Sequence, residues 1–113
     1  MIEKQTVIDQ IEIVRDSAIQ LRLGLLLLED GVTIDCKWHR TRINPGDDLD
    51  QQMKEVNAHL VSMGKLPLPD KALDTVRKII KLIHTPTVVK EYREHVRASM
   101  EAQMEQQNIV SLQ

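Results

Sequence analysis

The stretch "AIQLRLGLLLLEDGVTIDCKWHR" constrains this chain more than any other. Ile19, Leu21, Leu23, Leu25 and Leu27 alternate with Gln20 and Arg22, which is the period of a strand with one buried face. Asp30-Gly31 then breaks the run, and Asp-Gly between apolar alternations is a strong signal for a two-residue hairpin turn. Beyond it Val32, Ile34, Cys36 and Trp38 alternate with Thr33, Asp35, Lys37 and His39. Upstream, "TVIDQIEIV" sets Val7, Ile11 and Ile13 on one side.

A two-residue turn at Asp30-Gly31 pairs Leu27 with Ile34, Leu25 with Cys36 and Leu23 with Trp38. The apolar faces then coincide, as they must, because a slip of one residue exchanges the two faces. A three-residue loop at Arg15-Asp16-Ser17 pairs Ile13 with Ile19 and Ile11 with Leu21. Residues 6–43 therefore read as a three-stranded antiparallel β-meander with one greasy face.

The remainder has helical spacing. Asn44-Pro45-Gly46 turns the chain and Asp47 caps a helix over 47–63, with Leu49, Met53, Val56 and Leu60 inward and Gly64 as its stop. "KLPLP" is a stiff connector, since proline fixes φ and disfavours helix in the residue before it. A second helix over 70–84 turns Leu73, Val76, Ile80 and Ile83 inward. A third, over 86–106, has Thr85 as N-cap, Pro86 at its first position and Val89, Tyr92, Val96 and Met100 as its inner stripe. Residues 107–113 read as a polar tail that frays. The expected architecture is one α+β domain, an N-terminal three-stranded antiparallel β-meander followed by three α-helices.

Composition excludes several functions. A net charge of −2 and only two aromatic residues, Trp38 and Tyr92, argue against nucleic-acid binding, which needs phosphate neutralisation and stacking rings. "LGLLLL" falls far short of the ~20 apolar residues that span a bilayer, so membrane insertion is not expected. "MIEKQTVIDQ" is polar within its first five residues, so no signal peptide is expected, and a single cysteine fits a reducing compartment.

Chemistry-bearing residues are scattered. Cys36 and His39 lie three apart on a strand and point to opposite faces, while His59, His84 and His95 fall on separate helices. No metal and no cofactor are expected, since no metal-ligand spacing occurs. Cys36 on the buried face lacks a partner to lower its pKa, and Ser17, Ser62 and Ser99 lie outside any nucleophile-elbow context. The four glycines are isolated, so no phosphate loop exists. The expectation is a protein that is not an enzyme.

What remains is surface. Ile8, Val14, Leu26, Leu28 and Ile43 fall on the sheet face away from the helices, with His39 also facing outward. Contiguous exposed apolar residues mark interaction sites. Val14, Leu26, Leu28, His39 and Ile43 are accordingly the expected interface. Within "CKWHRTRINPGDD" the same register turns Cys36 and Trp38 to the core, with Arg40 and Arg42 continuing that side.

A strand ending "WHRTRINPGDD", an internal "VNAHLVSMGKLP" and a closing "IHTPTVVKEY" together resemble a family of small proteins encoded among the tail genes of tailed bacteriophages. The matching positions are His39, Arg40, Pro45, Gly46, Asp47, His84, Thr85, Pro86, Val88, Val89 and Tyr92, within a resemblance that runs from about Thr6 to Tyr92. It implies a virion context and a non-enzymatic structural or assembly role in the tail, assembled in the host cytoplasm. The implied partners are the protein itself, as a homo-oligomer, or other tail proteins. The alternative is a phage-encoded small binding protein that modulates a host factor.

Overall fold

The computed structural model describes residues 1–111. Strands β1 (Ile2–Ile13), β2 (Ile19–Glu29) and β3 (Val32–Ile43) form an antiparallel sheet in the order β1-β2-β3. Helices α1 (Leu49–Ser62), α2 (Asp70–Ile83) and α3 (Pro86–Ser111) follow. This is the expected α+β arrangement. α3 runs on past residue 106, and the last two residues of the expected tail lie outside the described residues.

Both hairpin turns form where expected, yet neither register survives along its strands. Ile13 pairs with Ile19 and Ile11 with Leu21, but a bulge at Asp9 shifts the ladder so that Ile8 meets Leu23 and Val7 meets Gly24. At the other hairpin Glu29 pairs with Val32 and Leu28 with Thr33. A second bulge, at Ile34, then sets Leu27 against Asp35, Leu26 against Cys36 and Leu23 against His39. One extra residue on a strand exchanges the faces of everything beyond it.

The exchange corrects several expectations. Cys36, Trp38, Arg40 and Arg42 share the face of Leu26, Gly24, Arg22 and Gln20, away from the core. Lys37, His39 and Thr41 share the helix-side face with Leu25, Leu23 and Leu21. Ile43, expected at an interface, pairs with Ile19 and is fully buried. Ile8 packs against the core from β1, and Val7 turns away from it.

The core forms where one face of β2 meets the first two helices. Ile19, Leu21, Leu23 and Leu25 pack with Ile43 of β3, Leu49, Met53 and Leu60 of α1, and Leu73 and Val76 of α2. Leu68 joins them from the connector, held by a 2.9 Å hydrogen bond from its amide to the Asn57 side chain. Thr6, buried on β1, donates to the Leu66 carbonyl at 2.6 Å and ties the connector to the sheet.

The helix termini follow local chemistry. Asp48, not Asp47, caps α1, its carboxylate accepting from the Gln51 amide at 3.1 Å. Asp47 instead accepts from the Asn44 amide at 2.8 Å and closes the Pro-Gly turn. At that turn Gly46 has φ +90, and a Cβ there would lie 3.1 Å from Val89 and Arg93, so α3 rests directly on the turn. Thr85 caps α3 through the Val88 amide at 3.3 Å. His84, at the end of α2, bonds through Nε2 to the Ser17 carbonyl at 2.7 Å and pins the helices to the β1–β2 loop.

Shape departs from compactness. The radius of gyration is 18.6 Å, against about 13 Å for a compact chain of about this length. Strands of twelve residues run ~40 Å while helices of fourteen cover ~21 Å, so the helices leave the β2–β3 tip bare.

The register makes a direct prediction. Ile43→Ala is expected to cost about 2–5 kcal/mol, the cost of a core cavity, whereas Ile34→Ala at the half-exposed bulge is expected to cost under about 1 kcal/mol. Urea denaturation of the two variants checks the order. The unbulged register requires the reverse.

Candidate functional site

The sheet face opposite the helices carries a mixed apolar and ionic surface. Val7 of β1, Gly24, Leu26 and Leu28 of β2, and Cys36 and Trp38 of β3 lie side by side on it. Trp38 spans toward the centre because Gly24 leaves room. A Cβ at Gly24 would stand 3.2 Å from the Val7 side chain and 3.5 Å from the indole. Despite that contact Trp38 stays 50% exposed, while Leu26, Leu28 and Cys36 are half-buried.

The indole is held from one side by charge. The Arg22 guanidinium lies 4.6 Å from the ring centroid, and its Nε donates to Asp9 at 2.7 Å. The residue that bulges from β1 thus fixes the cation that stacks on the tryptophan of β3. Such stacking contributes on the order of 0.5–1 kcal/mol at an exposed site. It biases a large amphipathic ring toward one orientation in advance of any contact, which lowers the ordering cost of binding. Gln10, Glu12, Gln20, Arg40 and Arg42 continue the face as a polar margin that encloses a shallow depression. An apolar centre with a fixed aromatic and a polar border is the anatomy of a protein docking surface.

The five expected interface residues do not form one surface. Leu26 and Leu28 lie on the open face as expected. Val14 lies beside α3, in a groove of about 690 Å³ that it shares with Arg15, Val88, Tyr92 and His95. Ile43 belongs to the core. His39 is on the helix side, its ring centroid 5.8 Å from that of His59 on α1. Trp38, Val7 and Cys36 are the members that sequence parity missed, because the turn register was extended through a bulge.

The two histidines interact electrostatically. Partial burial of His39, and then repulsion from His59, hold the His39 pKa below its ordinary 6.5. Among the described residues, no three His, Cys, Asp or Glu side chains gather to hold a metal ion. No helix among them is long and apolar enough to cross a membrane. No family model matches the chain, and neither curated proteins nor solved structures show a significant similarity to it.

The histidine pair predicts a pH response. His39 binds its proton less readily when folded, so below about neutral pH the unfolded chain takes up more protons and stability falls with falling pH. The loss begins near the ordinary pKa of 6.5 and levels off below the depressed folded value. His39→Gln is expected to flatten this part of the profile. Denaturation curves between neutral and mildly acidic pH check it, and equal slopes in wild type and variant contradict it.

Proposed function

We propose that this chain is a non-enzymatic structural or assembly component of a bacteriophage tail, acting through protein–protein contacts made by the open face of its sheet. The observation that carries the docking part of the reading is the pre-fixed Trp38, stacked under Arg22 and half-exposed among Val7, Leu26 and Cys36. A ring of this size left in water, and oriented there by a neighbouring ion pair, contributes most when a partner covers it. The tail context rests on the resemblance of the "WHRTRINPGDD" and "IHTPTVVKEY" segments.

The partner in this reading is a neighbouring tail subunit with an apolar surface bordered by charge. The border on this side is of mixed sign, Glu12 on β1 against Arg40 and Arg42 on β3, so the contact selects orientation as well as affinity. Burying the Trp38 face needs no backbone rearrangement, since the sheet beneath it is already packed.

Two measurements test the reading together. Peptides of the chain are expected in purified virions. Leu26→Asp and Trp38→Ala, both at positions outside the core, are expected to leave circular dichroism unchanged and to prevent incorporation into particles. Variants incorporated at the wild-type level overturn the surface. Particles that lack the wild-type chain, with assembly unaffected by its deletion, overturn the tail role.

A further inference from the structure

Helix α3 carries an apolar stripe that outlasts the domain it packs on. Val89, Tyr92 and Val96 are half-buried against the body, but Met100 and Met104 continue the same face at four-residue spacing and are 60% and 64% exposed. Positions three and four apart lie on one side of a helix, so these residues form one continuous strip. Twenty-six residues make α3 ~39 Å long, and its second half extends past the core.

Charge divides the helix into two unlike halves. Lys90, Arg93 and Arg97 lie in the first half with Glu91 and Glu94. Glu101 and Glu105 lie in the second, and the sequence has no lysine or arginine after Arg97. Beside the first half runs a groove of about 580 Å³ lined by His84, Val89, Lys90, Arg93, Glu94 and Arg97, three formal cations against one carboxylate. On a helical wheel Lys90, Glu94, Arg97, Glu101 and Glu105 fall on the same flank of the methionine stripe, with Arg93 between the two methionines, at 100° per residue. In an antiparallel pair that flank meets its own copy running the other way, so the basic end of each helix meets the acidic end of the other. A parallel pair sets like halves against like.

We propose that the protein forms a two-fold homodimer through α3, with the acidic second half of each helix running antiparallel along the basic groove of the other. A two-fold axis near Met100 sets Met100 against its symmetry mate and Met104 against the partner's Val96. It also brings Glu101 within about one turn of the partner's Arg97, and Glu105 within about one turn of the partner's Arg93 and Arg97. The interface is isologous, so each charge contact occurs twice. It covers the exposed methionines and leaves the open sheet face free, and it does not depend on the tail reading.

Sedimentation of the full chain tests this. Wild type is expected to dimerise at micromolar concentrations and to weaken with added salt, since the outer charges are screened. R93E/R97E alone and E101R/E105R alone are each expected to weaken dimerisation about tenfold or more, while an equal mixture of the two restores a dimer containing one of each. Met100→Glu with Met104→Glu, both at exposed positions that leave folding intact, is expected to give monomer. A wild-type chain that stays monomeric overturns the proposal. So does a dimer untouched by the α3 substitutions, or one lost instead on Leu26→Asp, which assigns dimerisation to the sheet.

Discussion

Burial of one side of β2 governs the rest of the molecule. Ile19, Leu21, Leu23 and Leu25 are nearly or fully inaccessible, and α1 and α2 pack on them without a break. The edge strands must fit this fixed central face, and each does so by giving up one residue of regular pairing. Asp9 leaves the β1 ladder and Ile34 leaves the β3 ladder. The cost is local, while the gain extends along each strand, since Ile8 and Ile43 reach the core only because the bulges turn them there.

The same two bulges create the open face. Val7 and Trp38 arrive on it for the reason that Ile8 and Ile43 leave it. Asp9, freed from the β1 ladder, anchors Arg22, and Arg22 covers the indole. Core and open face are therefore one solution to a single packing problem. Bulges also twist and interrupt strand edges, which discourages indiscriminate pairing with other chains.

Much of this was legible in the residues, and the exceptions have identifiable causes. Period-two alternation, the Asp30-Gly31 turn and the loop after Val14 located the strands, because turn chemistry and face patterning are local. The caps at Thr85 and Pro86 started α3 correctly for the same reason. Bulges are not local signals, yet their trace is present in the pattern. An unbroken β3 ends its supposed core side in Arg40 and Arg42, and an unbroken β1 puts Asp9 in line with Val7, Ile11 and Ile13. Charges intruding on an apolar parity mark where parity changes. His39 was misassigned by the same slip, and its pairing with His59 depends on how α1 crosses the sheet, which spacing alone does not encode.

The bulged register puts Trp38 on the solvent side of the sheet. Because it is the sole tryptophan, fluorescence of the monomer with acrylamide and iodide as quenchers reports on it alone. A red-shifted emission that both quenchers reach readily is expected. A blue-shifted emission shielded from both would put the indole in the core and contradict the bulged register.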